Sequence, residues 1–118
     1  MSDHVSWSLE VAVKAGQVDE LKAVLAEMIE STRAESGALI YEWSISDDGS
    51  TAHAYERYAD SAAVLAHLAT FGEKFAQRLL GAVDVTRFVV YGTPNEEARN
   101  ALNGLGPTYM TPLGGFVR

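Results

Sequence analysis

His67 is the side chain best suited by type to move a proton near neutral pH, since an imidazole is the group whose ordinary titration falls there. It recurs with Val64, Leu68 and Phe71 at i, i+3, i+4 and i+7, which sets it on or beside the apolar stripe of a helix. Glu56 is the second candidate. It lies in a strand pattern on the same side as Ala52, Ala54 and Tyr58. A four-residue loop before that strand would place Tyr41 opposite Glu56 and Trp43 opposite Ala54. Two small alanines facing two large aromatics leave a hollow with a carboxylate at one end. Such a hollow could hold and polarise a small aromatic or enol-type ligand, with Trp43, Tyr58 and Phe71 as aromatic wall. Each residue also has a purely structural role open to it. His67 could be a hydrogen-bonded histidine at the edge of a core, and Glu56 a carboxylate paired with Arg87 or a helix terminus.

Other chemistries find no support in the chain. It has no cysteine, which excludes disulfides, thiolate metal sites and cysteine nucleophiles. Neither His53 nor His67 has a partner at the spacing of a metal-binding motif, so no dedicated metal site is expected. Neither a phosphate-binding glycine loop nor a G-x-S-x-G nucleophile turn is present. The net charge of −7 argues against a nucleic-acid or anionic-membrane partner. No apolar run approaches the roughly 20 residues of a membrane span. Met1-Ser2-Asp3-His4 lacks the features of a signal peptide, so a cytoplasmic location is expected by default. His4 reads as a loose terminal residue, and His53, Tyr55, Arg57 and Glu42 as a polar network on the far face of the hairpin.

The elements that must position these residues follow from periodicity. Ser6 to Lys14 alternates Trp7, Leu9, Val11 and Val13 against Ser6, Ser8, Glu10 and Ala12, a strand. Val18 to Glu35 carries apolar residues at helical spacing, and Gly37 is placed to end that helix. Ala38–Ser46 and Thr51–Tyr58 alternate as strands about the turn Asp47-Asp48-Gly49-Ser50. Asp60 or Ser61 can cap the helix of His67, which Gly72 is expected to interrupt and Gly81 to close. Val83 to Gly92 is the fourth strand, with Val85, Val89 and Tyr91 on one face and Phe88 and Val90 on the other. Thr93-Pro94-Asn95-Glu96 reads as a helix start with Thr93 as cap. Leu105 to Arg118 then carries enough large apolar groups to dock as an extended arm, either over its own cavity or on a partner subunit. The order is β-α-β-β-α-β, an α+β ferredoxin-like arrangement with a four-stranded antiparallel sheet. One domain is expected, with residues 1–93 as its core and 94–118 as helix and arm. Two helices cover one sheet face only, so a homodimer packing sheet on sheet is expected on the other.

Gly37-x-x-x-Tyr41, the turn, Tyr55-Glu56-x-Tyr58, Asp60-Ser61, Ala63 and His67, taken in order, resemble the core of the antibiotic biosynthesis monooxygenase family. The resemblance spans about Val5 to Thr93. Tyr58 stands where that family often has Trp. The resemblance implies a dimeric α/β barrel. It also implies an oxidoreductase that uses dioxygen without flavin, metal or other cofactor, on a small electron-rich phenolic, quinol-type or enolisable substrate. In that chemistry His67 would be base or proton relay, with Glu56 and Tyr41 orienting it or the substrate. Haem degradation, also hosted by the fold, would require an Asn on the first strand and a Trp in the second helix. Ser6, Ser8 and a Trp-free second helix stand there instead. Two rivals remain open: an isomerase of a small hydroxy-carbonyl compound, and a non-catalytic dimer that binds a small ligand.

Overall fold

A computed structural model describes residues 3–118; Met1 and Ser2, read above as the start of a chain without a leader, lie outside the described residues. Strands β1 (Val5–Val13), β2 (Ala38–Ile45), β3 (Thr51–Tyr58), β4 (Val83–Tyr91) and β5 (Thr108–Met110) form one sheet in the order β2-β3-β1-β4-β5. Helices α1 (Val18–Arg33), α2 (Ser61–Lys74), α3 (Ala76–Ala82) and α4 (Glu96–Leu102) complete the chain, with a single 3-10 turn at Asn103–Leu105. The first four strands pair antiparallel in the ferredoxin-like order, and the sheet is open, not closed on itself. Among the described residues no helix is long and apolar enough to cross a membrane.

The β1 alternation resolves in one direction. Trp7, Leu9 and Val11 face the helices and are buried with Leu21, Val24, Met28 and Val64. The opposite face carries Ser6, Ser8 and Glu10, with His53 Nε2 of β3 standing 3.1 Å from Glu10 Oε1. Val89 and Tyr91 lie on this face too, through their pairing with Ser8 and Ser6.

Val85 departs from the expected pattern. Glu10 pairs with Arg87 but Val11 pairs with Val85, so Thr86 is the extra residue of a bulge. One inserted residue reverses the alternation, and Val85 joins Phe88 and Val90 on the core face instead of Val89 and Tyr91. The Thr86 hydroxyl donates to the Glu10 carbonyl at 3.0 Å and holds the bulge closed.

Helix boundaries moved as well. Helix α2 runs through Gly72 and breaks at Phe75, whose backbone (φ −126°, ψ −23°) is non-helical. Helix α3 likewise contains Gly81 and passes directly into β4 at Val83. Glycine lowers helix propensity by about 1 kcal/mol without forbidding the conformation, and packing decides. Asp60 caps α2 as expected, accepting from the Ala63 N–H at 2.9 Å. Asn95, not Thr93, caps α4, its side chain accepting from the Ala98 N–H at 2.9 Å.

The C-terminal arm divides in two. Gly106 takes a left-handed turn (φ 67°) that sends Thr108–Met110 back beside β4 in parallel pairing. The four-stranded antiparallel sheet expected from sequence is therefore a mixed five-stranded one. Beyond Met110 the chain adopts no regular element, and Leu113, Phe116 and Val117 are 102%, 79% and 75% exposed. His4 is not loose: a Cβ on Gly92 would lie 2.6 Å from its carbonyl oxygen.

Gly37 has a different task from the one expected. It takes no left-handed conformation; a Cβ there would lie 2.5 Å from the Cβ of Ala63. Its missing side chain lets the first turn of α2 close against the start of β2. The Gly37 carbonyl also accepts from the Ala59 N–H at 2.9 Å. This contact sets where α2, and with it His67, lies over the sheet.

Candidate active site

The hairpin register is the one read from sequence: Tyr41 pairs with Glu56 and Trp43 with Ala54. Ala52, Ala54, Glu56 and Tyr58 all face the helices and are buried. Across from them α2 lowers His67, itself only 7% exposed, onto the carboxylate end of this row. Its Nε2 stands 3.4 Å from Glu56 Oε1. Its Nδ1 stands 3.1 Å from Oε1 and 3.3 Å from Oε2 of Glu35. The imidazole is thus held between two carboxylates from different elements.

Aromatic rings enclose it. Tyr58 and Tyr41 lie 4.9 and 5.8 Å from the imidazole, centre to centre, and Trp7 lies 6.3 Å away. Trp7 in turn stacks on Tyr58 at 4.8 Å. The Tyr58 phenol donates to Glu56 Oε1 at 2.6 Å, so Tyr58 serves behind the carboxylate and does not line the hollow.

The hollow itself is lined by Trp7, Leu9, Tyr41, Trp43, Phe71 and Phe88 among others, with Glu56 and His67 as its polar end and Leu105 of the C-terminal segment reaching in. Its volume is about 40 Å³. That is room for a few waters, well under the roughly 300–1,000 Å³ of ligand sites. An aromatic ligand therefore needs side chains of this lining to move. A second, smaller hollow of about 10 Å³ lies on the Glu35 side of His67, lined by Ser31, Thr32, Glu35 and Thr70. Tyr41, His67 and Phe71 line both.

Burial dominates the electrostatics. It raises Glu56 to about 7, against the lowering effect of the Tyr58 hydrogen bond. It lowers His67 to about 4, so the ring is neutral at pH 7. Glu35 is raised by partial burial. Both phenols are pushed up, Tyr41 and Tyr58 alike, by burial first and then by the Glu56 charge. A neutral imidazole beside a carboxyl group poised near neutrality can accept, hold and return a proton. Among the described residues the Trp43 indole N–H is buried with no hydrogen-bond partner. No group of three or more His, Asp or Glu among them is placed to hold a metal ion.

All six residues singled out from sequence converge here, five on the hollow and Tyr58 behind it. Two were missed. The alternation of β1 leaves the face of Trp7 undecided. The spacing puts Glu35 at the end of α1, where a carboxylate opposes the macrodipole. That conflict was the available signal of a partner elsewhere.

The sequence pattern of the antibiotic biosynthesis monooxygenase family matches residues 7–84. The chain belongs to that family. No protein of curated function matches it in sequence. The crystal structure of MupZ from Pseudomonas fluorescens superposes with a TM-score of 0.87 at 25% identity, covering 100% of this chain and 91% of that one. SnoaB from Streptomyces nogalater, described as a cofactor-independent oxygenase, superposes with a TM-score of 0.67 at 17% identity, covering 80% of this chain and 96% of that one. A conserved protein from Methanosarcina mazei superposes at 0.66 with 21% identity, covering 75% and 90%. The last two likenesses establish the fold.

Proposed function

We propose that the protein is a cofactor-independent monooxygenase of a small electron-rich substrate, a phenol, quinol or enolisable carbonyl compound. The observation that carries this reading is the neutral, buried His67 with Nε2 directed at Glu56 on the edge of an otherwise apolar, aromatic-lined hollow. In this mechanism His67 Nε2 takes a proton from an O–H or acidic C–H of the substrate, whose electron pair stays behind. The anion reduces dioxygen, a C–O bond forms, and the peroxide takes the proton back. The carbon that bears the peroxide then loses its remaining hydrogen as a proton while the O–O bond breaks and hydroxide leaves, so that water is released and a carbonyl is left on that carbon. Glu56 and Tyr41 orient the ring or the substrate. Trp43 offers its unpaired N–H to a ligand oxygen, and Phe71 supplies wall. Apolar surroundings stabilise the uncharged dioxygen and keep the anion short of water.

The test is dioxygen consumption by the purified protein across hydroquinones, catechols and anthrones, with His67→Ala beside it. The reading requires uptake that stops in the variant while the fold persists. Absence of uptake on every substrate counts against it. Proton exchange into a substrate carbon without uptake would indicate an isomerase, and thermal stabilisation alone a ligand-binding protein.

The same reading includes a homodimer joined through the helix-free sheet face. It is supported by the exposed Tyr55 and Tyr91 there, by Met110, Leu113, Phe116 and Val117 of the arm, and by the buried, unpaired Nε of Arg57. Light scattering of the full chain and of a chain ending at Met110 tests it; a monomeric full chain would overturn it.

A further inference from the structure

A neutral imidazole has one N–H, and two carboxylates compete for that of His67. Glu35 presents both oxygens to Nδ1, at 3.1 and 3.3 Å. Glu56 presents one oxygen to Nε2 at 3.4 Å, and that same oxygen already accepts the Tyr58 phenol at 2.6 Å. The shorter, two-oxygen contact with an acceptor not otherwise engaged is the stronger one. Glu35 also keeps its charge more readily, because its side chain is 19% exposed against 5% for Glu56.

The backbone fixes Glu35 in this pose. Its N–H donates to the Thr32 carbonyl at 2.9 Å, and its carbonyl accepts from the Ala38 N–H at 3.1 Å. Two residues on, the Gly37–Ala63 approach brings α2 down so that His67 meets it.

We infer that Glu35 is the positioning residue of the site: it holds the His67 N–H on Nδ1 and so leaves Nε2 as the basic nitrogen facing Glu56 and the hollow. Without Glu35 the N–H would pass to Nε2, where Glu56 accepts it, and the lone pair would turn outward, away from any substrate. When Nε2 takes a proton, the substrate O–H or C–H bond breaks and an N–H bond forms. The resulting imidazolium then lies between two acceptors. This catalytic consequence rests on the reading of His67 as the base; the tautomer itself does not.

Long-range proton–nitrogen NMR of histidine-labelled full-length protein at pH 7.5 reads which ring nitrogen of His67 carries the proton. The wild type is expected to show Nδ1–H with an unprotonated Nε2. Glu35→Ala is expected to shift the population to Nε2–H, and Glu56→Gln to leave it on Nδ1. In the same Glu35→Ala protein, dioxygen uptake should fall at least tenfold although His67 is present. A wild type already in the Nε2–H form overturns the proposal, with or without a folded variant. So does an unchanged Nδ1–H form in Glu35→Ala. The expected tautomers with no uptake on any substrate would leave the role of Glu35 standing and overturn the oxygenase reading alone.

Discussion

The Tyr58 phenol donates to the Glu56 carboxylate at 2.6 Å, from the next side chain on the same face of β3, and both are buried. It is the short hydrogen bond that makes a buried carboxylate tolerable beside His67. Tyr58→Phe keeps the ring stack on Trp7 and removes the donor. The fold should lose about 1–3 kcal/mol at pH 8, and Glu56 should titrate above the about 7 it has with the phenol in place. Urea unfolding at pH 8 and pH 5 checks this. The loss should be smaller at pH 5, where the carboxyl carries its own proton. Equal losses would count against a charged Glu56 as the group served.

The pH dependence of stability should separate His67 from Glu56. His67 is lowered from 6.5 to about 4 on folding, so the unfolded chain protonates first and stability is lost as pH falls through that interval. Glu56 is raised from 4.5 to about 7, so its contribution is present below 4.5 and lost as pH rises towards 7. Glu35, raised in the same direction, adds to the Glu56 slope. In the wild type these slopes oppose. In Glu56→Gln stability should climb more steeply between pH 4.5 and 6.5, and in His67→Gln it should fall across that window. Urea midpoints at half-unit intervals decide, and parallel profiles in the two variants would refute the assignment.

Gly37→Ala should destabilise the fold by about 1–3 kcal/mol, because the new methyl meets the Ala63 Cβ at 2.5 Å and a helix-bound Cβ cannot rotate away. The double variant with Ala63→Gly restores the space at the cost of a helix glycine, about 1 kcal/mol. Thermal melts of the three variants form the test. A double variant less stable than the sum of the singles would place the strain elsewhere.

Trp43→Phe removes a buried N–H that has no acceptor while keeping an aromatic wall. Relief of the unpaired donor offsets the smaller ring, so stability should stay within about 1 kcal/mol of the wild type. Affinity for a phenolic ligand should fall roughly three- to tenfold, the worth of one neutral hydrogen bond. Calorimetric titration with a ligand found by thermal shift measures it; unchanged affinity would remove Trp43 from ligand recognition.

Much of this site was legible along the chain because its parts are set locally. The two-residue period and the four-residue turn fix the hairpin register, so the pairing of Tyr41 with Glu56 and Trp43 with Ala54 follows from spacing alone. Asp60 and the stripe of Val64, His67 and Phe71 fix the start and inner face of α2 by the same kind of short-range rule. The order of elements fixes the ferredoxin-like sheet as far as β4.

Tertiary structure alone decided the rest. The bulge at Thr86 turns Val85 inward because a partner strand accepts it from far along the chain, Glu10 and Thr86 being 76 residues apart. The parallel docking of β5 depends on an edge of β4 that no local pattern announces. Helix α2 passes through Gly72 because packing outweighs a propensity cost of about 1 kcal/mol. Above all, Glu35 and His67 are 32 residues apart and meet where α2 closes on β2 at the Gly37–Ala63 approach. Sequence singled out His67 and Glu56; the distance between helix and sheet brings Glu35 to the same imidazole.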